Sequence, residues 1–183
     1  MSELDLLAQQ VEASARTLRR AVDEGTLRGE RPSPRRLKLS AAEKDYVLGR
    51  WHLLARLRAA LRTEPNVRFA LLFGSTARGE DTEASDIDLL VEMRDFSLVR
   101  LIDLELKLEA LLGRNVDLLS LADVEGNPLL FAEALREGRV IVDRVDRWAE
   151  LHSQTARSRR RARDQARRRG RRAVAGIEGL LAS

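Results

Sequence analysis

Hydrophobic positions along this chain change their period, and the changes mark its elements. Apolar residues fall into two short helical stretches, Glu3 to Gln10 and Ser14 to Glu24, separated by a turn at Glu12 and Ala13 and stopped by Gly25. Ser14 stands where an N-cap belongs. Two short alternating segments flank the Pro-rich turn of "TLRGERPSPRRLKLS", which predicts a β-hairpin. From Ala41 to about Leu61, the residues Val47, Trp51, Leu54, Leu57 and Leu61 recur at three and four, the stripe of a long amphipathic helix that ends before Pro65 and Asn66.

Beyond that helix, strand and helix patterns alternate. Strands are predicted at Val67 to Phe73, Asp86 to Met93, Asn115 to Leu119 and Arg139 to Val142, with helices at Ser97 to Leu112 and near Pro128 to Glu137. This is an α/β layer arrangement: a sheet with flanking helices. Residues 144–183 read as a further helix, with Val174, Ile177 and Leu181 in one stripe. Trp148 and Leu151 are expected to pack its first turn onto the core, and His52 and His152 to be structural or exposed.

Composition narrows the chemistry. The chain of 183 residues has no cysteine and two histidines, so disulfides, a thiolate nucleophile and a cysteine- or histidine-ligated zinc site are not expected. Any catalytic metal should have oxygen ligands. No apolar run approaches a membrane span and the amino terminus lacks a signal-peptide core, so a cytoplasmic protein without membrane contact is expected. Ten arginines against Asp164 and Glu178 give residues 151–183 a net +8; since the whole chain is +4, the first 150 residues carry −4. The Arg-rich helix thus clamps an acidic partner, binds nucleic acid through phosphates, or remains solvated.

The chemically informative stretch is "LLFGSTARGEDTEASDIDLLVE", residues 71–92. Two strands predicted to be buried enclose Gly74 and Ser75 at the end of one and Asp86 and Asp88 in the other. Alternate strand residues share a face, so the two carboxylates project together, and burying both is costly unless a divalent cation lies between them. Asp117, on its own short strand, supplies a third acid. Gly74 lets backbone approach a ligand, and Ser75 opens a short helical turn whose amides and hydroxyl would bind phosphate. A phosphate cradle beside a carboxylate-held metal suggests transfer from a nucleoside triphosphate.

Gly74 and Ser75, ten intervening residues, and Asp86-Ile87-Asp88 resemble the G-S-x10-D-x-D motif of minimal nucleotidyltransferases in the DNA polymerase β superfamily. Arg78, Gly79 and Ser85 also fit, and Asp117 stands where the third carboxylate is expected. The resemblance implies that Asp86, Asp88 and Asp117 hold one or two Mg²⁺ ions and that Gly74, Ser75, Arg78 and Ser85 contact the nucleotide, with ATP as donor. Asp117 would also help deprotonate the acceptor hydroxyl. It implies further that the chain resembles antitoxins which transfer AMP to a hydroxyl, typically tyrosine, of a partner toxin of the HEPN type. Transfer to tRNA, as a toxin, or to a small molecule such as an aminoglycoside are the enzymatic alternatives. A DNA-binding regulator whose nucleotidyltransferase fold only senses nucleotide is the non-enzymatic one.

The amino-terminal "LAQQVEASARTLRRAVDEGTLRG" resembles a bacterial winged helix-turn-helix, with Ala8, Val11 and Leu18 in its core. Arg16, Thr17, Arg19 and Arg20 are its DNA-reading candidates, and Arg28, Arg31, Arg35, Arg36 and Lys38 lie on the wing. Residues 1–40 have only eight basic against six acidic side chains, so useful affinity for operator DNA would call for a homodimer. A helical protein-interaction unit is the alternative. The predicted organisation is therefore a winged helix-turn-helix (1–40), a connecting helix (41–64), a minimal nucleotidyltransferase with a mixed sheet (65–143) and an Arg-rich helical extension (144–183), an α+β and α/β chain.

Overall fold

The computed structural model describes residues 2–33 and 36–151, together with residues 153, 157, 160, 163, 164 and 167. Val174, Ile177, Leu181, His152 and Arg35, and with them most of the Arg-rich extension, lie outside the described residues. Helix α1 (Glu3–Gln10) opens on a capping box between Ser2 and Asp5. Helix α2 (Ala15–Asp23) is capped by the Ser14 hydroxyl, which accepts the Thr17 N–H at 3.0 Å. The turn between them holds Glu12 at φ 53°, a left-handed conformation that costs a non-glycine residue about 1 kcal/mol. Ala8, Val11 and Leu18 are all buried beside it. Strands β1 (Glu30–Ser33) and β2 (Arg36–Lys38) form the antiparallel hairpin.

Helix α3 (Ala41–Arg62) begins at Ser40, whose hydroxyl accepts the Glu43 N–H at 3.1 Å. All five residues of its predicted stripe are buried. Truncating a fully buried member such as Leu54 or Leu57 to Ala would cost about 3 kcal/mol.

Next come strand β3 (Val67–Phe73), the short helix α4 (Gly74–Arg78), strand β4 (Ile87–Met93), helix α5 (Leu98–Leu112) capped by Ser97, and strand β5 (Val116–Ser120). Helices α6 (Leu121–Glu125) and α7 (Pro128–Glu137) precede strand β6 (Arg139–Asp143). Helix α6 is an element that the sequence pattern does not predict. Residues 147–151 are helical again, and Leu151 is fully buried with Trp148 packed beside it. Among the described residues no helix is long and apolar enough to cross a membrane.

The sheet has the order β5-β4-β3-β6, with β4 and β5 parallel and the other pairs antiparallel. It is covered on both faces. Ala70, Leu72, Ile87, Leu89, Val116 and Leu118 join the cluster with α3 and α5, whereas Phe69, Leu71, Phe73 and Leu90 join α6, α7 and Leu151. Val67 and Phe69 share odd numbering yet face opposite ways because the pairing register shifts between them. The apolar cluster runs without a break from Leu4 to Val142, so the amino-terminal elements pack against the sheet domain. Polar contacts seal the same junction: Val140 N–H donates to the carbonyl of Gly25 at 3.1 Å, and Arg58 donates to Thr26 and Glu24.

Candidate active site

The site forms where β3, β4 and β5 meet helix α4. Parallel pairing places Asp88 of β4 directly beside Asp117 of β5. Antiparallel pairing sets Asp88 opposite Phe73, the last residue of β3. Gly74 follows at φ +69°, and a Cβ added there would collide with the Asp88 carboxylate. The chain turns at this point because only glycine accepts both the positive φ and that close approach.

The acids are less enclosed than the strand pattern implies. Asp86 precedes the first residue of β4 and is exposed, Asp117 is exposed, and Asp88 is half-buried. The expectation of buried carboxylates is corrected accordingly: helices α6 and α7 cover the apolar part of that sheet face, and the acids stand at its uncovered end. Burial and then the negative charges of Asp117 and Asp86 raise the Asp88 pKa above the usual aspartate value, partly opposed by Arg78. No ion pair reaches any of the three acids among the described residues.

Three oxygen-only anionic side chains with no ion-pair partner among the described residues suit a hard divalent cation. They do not close around one point, however. Among the described residues no group of three acidic or histidine side chains has the geometry of a formed metal cage. The donor set fits a Mg²⁺ ion in chemistry and charge.

The other predicted residues are placed as follows. Ser75 lies in the first turn of α4, half-buried next to Gly74. Arg78 ends that helix, bonded through Nε to Glu80 at 2.7 Å and through Nη1 to Glu137 at 2.6 Å, and these partners hold its pKa above the ordinary guanidinium value. Ser85 closes its own loop, its hydroxyl accepting the Thr82 N–H at 3.0 Å.

That loop is fastened by residues which motif reading does not single out. Asp81 has a side chain only 2% exposed and accepts from Arg50 Nε at 2.6 Å and from Arg114 Nη1 at 2.9 Å. Burial raises its pKa, but the two guanidiniums outweigh burial and leave it below the usual aspartate value. Arg114 also donates to the Ser85 carbonyl at 3.1 and 2.6 Å, next to Asp86. An acid at the sixth position after Ser75, inside a spacer, is the one signal that would have pointed there.

In the amino-terminal unit, Arg16, Thr17 and Arg20 are exposed and Arg19 is partly so. Arg16, Arg19, Arg20 and Arg31 line one open concavity together with Asp23, which pairs with Arg31 at 2.5 Å. Thr17 is engaged by the Ser14 hydroxyl at 2.7 Å.

The sequence profile of the polymerase beta nucleotidyltransferase family matches residues 55–147. The protein adenylyltransferase MntA of Thermococcus cleftensis is 46% identical over 67 residues, which are 36% of this chain and 68% of that protein. A relative from Methanocaldococcus jannaschii, provisionally named a protein adenylyltransferase, is 44% identical over 72 residues, 39% of this chain and 75% of its own. Among solved structures, a toxin–antitoxin crystallised with AMP-PNP superimposes with a TM-score of 0.50 at 22% identity, over 70% of this chain and 98% of that one. A mutant of a toxin–antitoxin pair that includes MntA gives 0.51 at 21% identity, over 70% and 98%. At such identities the structural likeness speaks for the fold.

Proposed function

The chain belongs to the polymerase beta nucleotidyltransferase family and is a nucleotidyltransferase, and from that premise we propose that it moves AMP from ATP to a hydroxyl on a partner protein, as the antitoxin of a toxin–antitoxin pair. The observation that carries the reading is the meeting of Gly74, Asp88 and Asp117 at the end of three adjacent strands. The named adenylyltransferase relatives support protein as the acceptor class.

In this reading Asp86, Asp88 and Asp117 hold Mg²⁺. When bound, the ion neutralises charge on the phosphates and makes the acceptor hydroxyl easier to deprotonate. The Gly74 and Ser75 amides and the Ser75 hydroxyl hold the donor's terminal phosphates, and Arg78 supplies positive charge at the far end of the same turn. The acceptor oxygen bonds to the α-phosphorus while the bond to the bridging oxygen breaks, so pyrophosphate leaves with the electron pair. Asp117, the more exposed partner of Asp88, takes the hydroxyl proton. Catalysis here is positioning and charge neutralisation.

A second role is proposed for the amino-terminal unit. Two helices, a tight turn, a hairpin and a concavity lined by four arginines support binding of operator DNA by a winged helix-turn-helix, hence repression of the chain's own operon.

The deciding experiment incubates the pure protein with Mg²⁺ and each α-labelled nucleoside triphosphate, offering the neighbouring gene product or total tRNA, beside the Asp86→Asn variant. Label reaching the protein acceptor from ATP, and lost in the variant, is the expected result. Label on tRNA alone would replace the antitoxin reading with that of a toxin.

A further inference from the structure

Two side chains outside the motif converge on the turn Gly74–Arg78, and a third holds one of them. Arg139, the first residue of β6, donates from Nε to the carbonyl of Ala77 at 2.7 Å. Tyr46, on α3, donates from its hydroxyl to the carbonyl of Thr76 at 3.2 Å. Backbone amides serve part of this short helix's end, Gly79 N–H reaching the Thr76 carbonyl at 3.2 Å and Glu80 N–H the Ser75 carbonyl at 3.0 Å, and the two side-chain bonds add to that hold on Thr76 and supply it at Ala77. The guanidinium of Arg139 lies 3.4 Å from the centroid of the Tyr46 ring, and that ring occupies the space beside Gly79 where the turn leaves the helix. Burial pushes the Tyr46 phenol up to about 12, so it remains a donor at working pH.

The same arginine reaches the other way. Its Nη atoms are held by Glu43 at 2.6 and 3.0 Å, and the two side chains are 3% and 5% exposed. Glu43 also accepts the backbone N–H of Arg28 at 2.9 Å, while Arg139 Nη1 donates to the carbonyl of Thr26 at 3.3 Å. One buried ion pair thus touches both the root of the amino-terminal hairpin and the helix that carries Gly74 and Ser75. Arg28 makes a parallel link nearer the surface: its Nη2 donates to the Glu137 carbonyl at 2.5 Å, and the Glu137 carboxylate holds Arg78.

We propose that Glu43, Arg139 and Tyr46 are positioning residues for nucleotidyl transfer, which set the geometry of the turn Gly74–Arg78 and make it depend on the seating of the amino-terminal unit. The inference rests on the reading of that turn as the phosphate-binding element. None of the three touches reacting atoms; they act through the Thr76 and Ala77 carbonyls. Because a buried charge tolerates no unpaired state, the pair moves together or not at all. Coupling of this kind is reciprocal: what stabilises the turn must also stabilise the hairpin root.

The test uses the full chain, with a non-hydrolysable ATP analogue and Mg²⁺. Tyr46→Phe removes one hydrogen bond and keeps the ring; analogue affinity should fall on the order of 5-fold, more than the accompanying small fall in Tm accounts for. Glu43→Gln alone would strand a buried guanidinium, so the pair is removed as Glu43→Leu/Arg139→Met, a type of replacement that is often neutral for folding. Analogue affinity should then fall on the order of 10-fold, and hydrogen exchange over residues 26–30, slowed by analogue in the wild type, should no longer respond. Unchanged affinity in both variants, or losses that merely follow Tm, would overturn the proposal while nucleotide binding stands. Exchange indifferent to analogue in the wild type would overturn the coupling. A wild-type chain that binds no analogue would overturn the phosphate reading, and the proposal with it.

Discussion

The carboxylate of Asp88 fills the space that a side chain at residue 74 would need, so Gly74 and Asp88 are fitted to one another across the β3–β4 pair. The motif's first glycine and its second aspartate are thus two halves of one contact.

Gly74→Ala tests that fit. The positive φ alone should cost about 1 kcal/mol, and relief of the collision must displace Asp88. A displacement near 1 Å lowers transfer on the order of 100-fold. Transfer assays beside a denaturant melt would show activity falling far more than stability.

Asp88→Asn should abolish transfer and leave the metal-free protein at least as stable as the wild type. The sign follows from the raised pKa, whose first cause is burial and second the neighbouring acids. A carboxyl whose pKa is raised by folding favours the folded state while protonated, and that contribution is lost as pH rises through its folded pKa. At neutral pH the ionised group is a burden, which Asn removes. Melts with and without Mg²⁺ check this: Mg²⁺ should stabilise the wild type and not the variant.

Asp81→Asn should be the opposite case. Its pKa lies below the usual value, since burial is outweighed by Arg50 and Arg114, so it stabilises the fold above the ordinary aspartate pKa and loses that effect as pH falls through the depressed one. Neutralising it leaves two guanidiniums underpaired, a loss of about 3 kcal/mol. The loop before Asp86 should loosen, and transfer should drop on the order of 10-fold. A melt across pH would show the gap between wild type and variant narrowing in acid.

Replacing Arg16, Arg19 and Arg20 with Ala should weaken operator binding in a gel shift and flatten its salt dependence by about 0.9 per phosphate contact removed. Transfer should be unchanged, because none of the three approaches α4.

Much of this fold was readable from periodicity. Strand Val67–Phe73 and helix Pro128–Glu137 have the predicted bounds, and Ser14, Gly25 and Ser97 terminate helices as short-range chemistry requires. What periodicity lacks is the extent of cover. Alternation put Asp86 and Asp88 on one face but carried no information on where α6 and α7 stop, so the acids were expected to be buried. Helix α6 has five residues, too few for a helical repeat to register. The Glu43–Arg139 pair spans 96 residues, and neither partner has a local feature announcing the other. Asp81 was hidden differently, as one more polar residue in a polar spacer.

The position of β6 also orders events during synthesis. β3 lies between β4 and β6, and β6 is the last strand made. A ribosome-bound chain that has completed β4 and β5 still has one flank of β3 unfilled, and Glu43, translated 96 residues before its partner, remains hydrated. The amino-terminal helices have α3 to pack against early, whereas the bond from Val140 of β6 to Gly25 forms last. Until Arg139 clears the exit tunnel, the carbonyls of Ala77 and Thr26 lack the guanidinium that joins them.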